Sequence, residues 1–204
     1  MSATGDPMLL LHATDLACMR GDRLLFARLS LTLGAGDALH LAGPNGIGKS
    51  SLMRILAGLL RPFAGTVERE GAVALLDERP ALDAHLPLGR ALGFWAQVDA
   101  AGNVSAVAER VMLADLLDVP VRYLSTGQRK RAALARVLLQ DAPIWLLDEP
   151  LNGLDTASVA MVEALVAQHC ANGGIGIIAS HQPVAVPGLK RLELANHVPR
   201  EERA

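Results

Sequence analysis

Aromatic residues are scarce in this 204-residue chain, at 3% of the total. Ala, Leu and Val must therefore fill the interior, drawn from the 51% of residues that are hydrophobic. Cysteine is sparse as well. Cys18 and Cys170 lie far apart, form no Cys-x-x-Cys pair, and exclude a disulfide framework. Both read as small buried hydrophobes in a reducing compartment. Neither sign of charge dominates: the net charge of −2 gives no global attraction to nucleic acid or anionic lipid, although a local basic face would not show in the total. No run of about 18–20 apolar residues could span a bilayer. The short stretch Met8-Leu9-Leu10-Leu11 has no basic segment before it and does not read as a secretory signal. The expectation is a soluble chain that would serve a membrane only through a partner.

What is present is a chain of alternating short strands and helices, with a length that fits one compact α/β domain. Leu9 to Ala17 and Leu24 to Leu33 read as strands around Arg20-Gly21-Asp22-Arg23, an antiparallel lobe at the start. Ala38 to Ala42 is a buried strand, and Ser50 to Leu60 has helical apolar spacing at Leu52, Ile55, Leu56 and Leu59. Gly65 to Leu76 reads as another strand pair. Residues 81–121 differ in texture, with helices over Leu88 to Ala100 and Val104 to Leu117, and are the candidate inserted helical lobe. The core pattern resumes as helix Thr126 to Gln140, strand Ile144 to Leu147, helix Thr156 to Cys170, strand Ile175 to Ala179 and a last strand over Leu189 to Ala195.

Chemistry concentrates at the strand ends. Gly43-Pro44-Asn45-Gly46-Ile47-Gly48-Lys49-Ser50, followed by Ser51, is a phosphate-binding loop after an apolar strand and at a helix start. Its glycines let main-chain amides curve around phosphate oxygens, and the helix N-terminus adds positive potential. Lys49 supplies a charge to the β- and γ-phosphates, and the Ser50 hydroxyl can ligate Mg²⁺. The strand Ile144 to Leu147 delivers Asp148 and Glu149 to its carboxyl end, where open α/β sheets bind ligands. Asp148 suits Mg²⁺, and Glu149 suits polarisation of an attacking water. His181 follows the strand Ile175 to Ala179 at the same edge and can bond the γ-phosphate or the water. The other five histidines, His12, His40, His85, His169 and His197, read as structural or exposed.

Leu124-Ser125-Thr126-Gly127-Gln128 opens a helix with a small hydroxyl. Ser125 is a plain N-cap on one reading and a second anion clamp on the other. One chain cannot readily close both clamps on one ATP, so a head-to-tail pair is expected, with Ser125 of one copy facing Lys49 of the other. Asn152 to Asp155 would lie at that seam. Phe94 and Trp95 are adjacent, and neighbours on a helix diverge by about 100°. Both could be packing residues, or one could line a groove that receives a short helix of a membrane partner.

In this order the motifs resemble the ATP-binding subunits of ABC transporters over nearly the whole chain. The implied fold is α/β, a P-loop NTPase of ABC type: a mixed sheet with an N-terminal antiparallel β lobe and an inserted helical lobe. Residues 1–80 and 122–204 would form the ATP-binding core and 81–121 the helical subdomain. Leu16-Ala17-Cys18, Leu56-Ala57-Gly58-Leu59-Leu60-Arg61-Pro62, Phe94-Trp95-Ala96 and Ser180-His181-Gln182-Pro183 narrow the resemblance to the CcmA family of bacterial cytochrome c maturation. That resemblance implies a haem exporter, ATP and Mg²⁺, CcmB-like and CcmC-like membrane partners, and a peripheral place on the cytoplasmic face of the inner membrane. ATPases of another small exporter, or ABC-type ATPases acting on nucleic acid, remain the alternatives. Three residues depart from the family pattern. Thr126 replaces a glycine of the signature turn. Arg20 stands where an aromatic usually stacks on adenine, and a guanidinium plane can stack there instead. Arg79 falls where a glutamine would ligate the metal, leaving Glu78 to take that role or the loop to couple differently.

Overall fold

The computed structural model describes residues 10–77, 81–99 and 102–199. Glu78, Arg79 and Pro80, with the question of the missing glutamine, lie outside the described residues. Strands β1 (Leu10–Arg20) and β2 (Arg23–Gly34) form the expected hairpin, and β1 runs past Ala17 to Arg20 because Cys18, Met19 and Arg20 go on pairing with β2 up to the turn; on its other side β1 pairs β4 (Ala64–Arg69). The result is an antiparallel sheet of order β2-β1-β4.

The second sheet is built from β3 (Ala38–Ala42), β5 (Val73–Leu76), β6 (Ile144–Asp148), β7 (Ile175–Ser180) and β8 (Lys190–Glu193), in the order β5-β6-β7-β3-β8. Every pairing in it is parallel, so antiparallel and parallel strands are divided between two sheets. Gly65 to Leu76 is therefore not a strand pair. Its first half, β4, joins the antiparallel sheet, and its second half, β5, joins the parallel one beside β6. Local pattern shows two strands but carries no information on which sheet each one joins.

Both faces of the parallel sheet are covered, which explains why β3, β6 and β7 are buried throughout and read as continuous apolar runs. Alternate side chains feed separate cores. Ile144, Leu146, Ile175 and Ile177 pack with Phe26, Leu29, Leu52 and Met53, joining the antiparallel sheet to helix α1 (Lys49–Leu56). Trp145, Leu147 and Ile178 face the other way. They pack with helices α2 (Leu88–Val98), α3 (Val104–Arg110), α4 (Thr126–Leu139) and α5 (Thr156–Ala171). Each fully buried leucine contributes about 1.5–3 kcal/mol of transfer free energy, so the two cores fix which way each strand faces.

Helix α1 stops at Leu56, short of the expected Leu60, because Gly58 turns the backbone left-handed at φ 77°. Helix α3 ends at Arg110 and a separate 3₁₀ turn spans Ala114–Leu116, where one helix to Leu117 was expected. The last strand is shorter as well, giving way to a 3₁₀ turn at Leu194–His197. The segment holding α2 and α3 closes on itself: Leu88 N donates to Val119 O (2.9 Å), Gly89 N to Leu117 O (2.8 Å) and Val121 N to Leu86 O (3.1 Å).

Candidate nucleotide site

Strand order positions the site. With β6, β7 and β3 adjacent, Asp148 pairs with Ala179 and Ser180 with Ala42, so the three carboxyl ends open at one edge. From that edge come Glu149, His181 and the loop that begins at Gly43. Gly43, Gly46 and Gly48 all have positive φ. At Gly48 the angle is 117°, and a Cβ would stand 3.3 Å from the Phe26 ring, so only glycine seats the loop against β2 without strain.

Lys49 opens α1 and is 5% exposed. Its Nζ donates to the carbonyls of Gly43 (2.7 Å) and Pro44 (3.2 Å) and lies 3.0 Å from Glu149 Oε1. The other carboxylate oxygen, Oε2, is 3.0 Å from His181 Nδ1. An ionised carboxylate only accepts, so the proton of that bond sits on Nδ1. Three strand ends thus contribute Lys49, Glu149 and His181 to one chain of charge-assisted contacts.

A cleft of about 620 Å³ adjoins this chain, lined by Asn45, Gly46, Gly48, Lys49, Ser50 and Ser51 of the loop, by Leu25, and by Thr126, Lys130, Glu149, Asn152 and Gly153. The structure brings the loop residues and Glu149 together as the motifs suggested. His181 does not line this cleft; it contacts Glu149 and lines a neighbouring cavity with Gly43 and Pro44. Beside the loop, burial pushes the Cys18 thiol up, an effect eased by the neighbouring Ser51 hydroxyl. Arg20 is exposed at the end of β1, and the residue that lines the cleft on the hairpin side is Leu25.

At the signature turn the polar atoms are occupied locally. Gln128 N donates to Ser125 Oγ (3.2 Å), and Ser125 N donates to Gln128 Oε1 (2.8 Å), a reciprocal capping box at the start of α4. The plain N-cap reading of Ser125 is therefore realised within the chain. Gly127 packs so closely on the carbonyl of Gly153 that a Cβ would stand 3.1 Å from it. Asp155 caps α5 by accepting from Ser158 N (2.7 Å), and this bond holds its carboxyl below the usual carboxylate range. Lys130 was missed by motif reading. The available signal was its place four residues after Thr126, on the same face of α4.

Ser50 offers a hydroxyl and Asp148 a carboxylate that is 5% exposed, both hard oxygen donors suited to Mg²⁺. Among the described residues no group of three or more His, Cys, Asp or Glu could hold a metal alone. That donor set fits a cation completed by phosphate and water.

The aromatic neighbours divide. Trp95 Nε1 donates to Ala81 O (2.8 Å) under the Arg136 guanidinium, 4.2 Å from its ring centre, while Phe94 is 57% exposed. Both line a smaller cavity of about 280 Å³ with Ala81, Asp83, Leu86 and Ala91. Among the described residues no helix is long and apolar enough to cross a membrane.

A cradle of positive-φ glycines, a buried lysine and a strand-end acid pair, with the start of a serine-capped helix lining the same cleft, defines a P-loop ATPase site. The family model described as ABC transporter matches residues 26–152. An ABC transporter ATP-binding protein from Pyrococcus furiosus superposes with a TM-score of 0.82 at 24% identity, covering 93% of this chain and 100% of that one. RNase-L Inhibitor shares the fold at a TM-score of 0.73 and 26% identity, over 87% of this chain and 35% of its own. The chain belongs to the ABC transporter ATP-binding family and hydrolyses ATP as the subunit of such a complex.

Its sequence relatives are narrower in kind. A Cytochrome c biogenesis ATP-binding export protein CcmA of Novosphingobium aromaticivorans is 63% identical over 93% of this chain and 97% of its own. The protein of the same name from Sphingopyxis alaskensis is 56% identical over 90% of this chain and 95% of its own. Within the ABC family, the chain belongs to the CcmA group.

Proposed function

We propose that this chain drives the cytochrome c biogenesis exporter by ATP-dependent closure of a head-to-tail pair, releasing a haem-loaded chaperone. The cargo reading rests on kinship with CcmA proteins, and the mechanism rests on the Lys49–Glu149–His181 chain. CcmB-like and CcmC-like membrane subunits are the proposed partners, on the cytoplasmic face of the bacterial inner membrane, with no role for nucleic acid. The division into a core of residues 1–80 and 122–204 and a helical subdomain of 81–121 belongs to the same proposal. The closed segment between Leu86 and Val121 supports it.

In this reading the amides of Gly43 to Ser51 cradle the phosphates and Lys49 exchanges its carbonyl partners for phosphate oxygens. Arg20 stacks on the base. Ser50 and Asp148 would hold Mg²⁺, which neutralises charge on the β- and γ-phosphates when bound. Glu149 polarises the attacking water, and His181 fixes the carboxylate from behind through Nδ1. Ser125, Gly127 and Gln128 of the second copy present their helix N-terminus to the γ-phosphate. The single observation that carries the catalytic assignment is that both Glu149 oxygens are held, one by a lysine and one by a histidine.

Glu149→Gln tests it in the complex purified with its membrane subunits. The amide keeps shape but cannot act as a base, so kcat should fall by about 10²–10⁴-fold with ATP affinity retained. Near-normal turnover would move the catalytic role elsewhere. Release of haem-loaded chaperone should stop in the same variant, and release at the wild-type rate would remove the cargo reading.

A further inference from the structure

Glu149 has a feature that its chemistry alone does not require. Its backbone is left-handed, with φ 47°, a conformation costly for a residue with a Cβ. Such strain persists only where the surroundings over-determine it. Three backbone contacts do so here. Glu149 N donates to Ala179 O (2.8 Å), which ties it to β7. Asn152 N approaches Glu149 O at 3.5 Å and closes the turn after the strand. Lys130 Nζ, on α4, donates to the same carbonyl at 3.0 Å.

The lysine contact differs from the other two in origin. It comes from the helix whose first turn is the signature sequence, one turn beyond Thr126. Thr126, Lys130 and Glu149 line the same cleft, and Gly127 is seated directly on the Gly153 carbonyl. The face of α4 that carries Gly127 and Lys130 is thus fastened to the 149–153 turn at two points. An ammonium on a half-buried carbonyl is a charge-assisted bond, about twice as strong as a neutral one. A side chain with no donor at its tip would leave that carbonyl to the longer Asn152 bond.

We propose that Lys130 is a positioning residue: it holds the strained peptide of Glu149 and so ties the orientation of the carboxylate to the signature helix. The assignment rests on Glu149 being the base. Displacement of α4 when a second copy engages Ser125 then bears on Glu149 in the same chain, and the two sites of a pair are linked through this bond.

Lys130→Met, which keeps the aliphatic stem, should lower kcat about 10-fold in the purified complex while KM for ATP and the calorimetric ATP affinity stay within twofold. Lys130→Arg, which restores a donor, should recover at least a third of the wild-type kcat. On a Glu149→Gln background Lys130→Met should produce no further loss, because the group it positions is gone. Unchanged kcat in Lys130→Met overturns the proposal. So does a raised KM with kcat intact, which would make Lys130 a phosphate ligand. An equal fold-loss on the Glu149→Gln background would show that it acts elsewhere. Failure of the base assignment is read separately, from turnover of Glu149→Gln alone.

Discussion

At the P-loop, Lys49 reaches from the start of α1 to a carboxylate at the end of β6, and that carboxylate reaches a histidine at the end of β7. At the signature turn, Ser125 and Gln128 bond to each other within one turn of a helix. The first arrangement exists only because β6, β7 and β3 are neighbours. The second would survive in any context where α4 forms. One end of the cleft is therefore assembled by the whole fold and is rigid by construction. The other keeps its polar bonds within one turn, so a shift of α4 as a unit would carry the cap with those bonds intact while loading the contacts of Gly127 and Lys130 with the 149–153 turn.

Removing the central charge of the assembled end should have the largest effect. Lys49→Ala strips the phosphate cradle of its cation and leaves Glu149 with His181 but without its lysine. A hydrogen bond to a charged group is worth about 1.5–3 kcal/mol, so ATP affinity should fall at least tenfold by calorimetry. Unchanged affinity would break the contrast, because the tertiary chain would then not be part of the binding site.

A mixture sharpens the other half. If Ser125 acts across the seam, Ser125→Arg and Lys49→Ala chains combine to give pairs with one intact site. ATPase activity of the mixture should exceed that of either variant alone by several-fold. Equal negligible rates in all three would mean that both clamps belong to one chain.

The cap itself predicts a smaller change. Ser125→Ala removes the acceptor for Gln128 N and should cost about 1 kcal/mol. In a chain of this size that lowers Tm by roughly 2–4 °C. Ser125→Thr should restore most of it. A loss well beyond this would show that the turn is held by more than its own residues.

At the far end of β6 from the site, a half-buried ring gives a pH test. His169 stacks on Trp145 at 3.9 Å and bonds Pro143 O (3.1 Å), and burial holds it below the usual histidine value of 6.5. A histidine whose folded pKa is lowered stays neutral where the unfolded chain takes up a proton. Its contribution is complete above about pH 6.5 and declines as pH falls from there through the folded value. Wild-type Tm should drop between pH 7 and pH 5, and His169→Gln should flatten part of that slope. An identical slope in the variant would assign the acid sensitivity to another group. The smallest effect is expected at Phe94, whose exposure means that Phe94→Ala should leave Tm nearly unchanged. Loss of membrane co-purification in that stable variant would mark a docking residue, and retention would leave Phe94 without that role.

Much of the site was legible because it is written in contiguous residues. Eight neighbours form the phosphate loop, a strand ends in two acids, and a histidine follows another strand. What could not be read there has a common cause. Gly65 to Leu76 contains two strands whose alternation is the same whichever sheet they join, and only the sheet order separates β4 from β5. Ser125 carries two roles in sequence, and the capping box establishes one within the chain. Lys130 belongs to no motif, because its partner is a main-chain carbonyl and every residue type offers one.

By itself the sequence determined the class of chemistry, the glycines that let a backbone curve round phosphate, and the apolar runs that become buried parallel strands. These follow from short-range geometry and from burial, which act on neighbours along the chain. Tertiary structure alone decided which oxygen of Glu149 meets Lys49, which meets His181, and that Lys130 holds its carbonyl. Those contacts join segments far apart in sequence, and their distances are set by strand order and by the packing of α4 against the sheet at β5. Neither is encoded in any one segment.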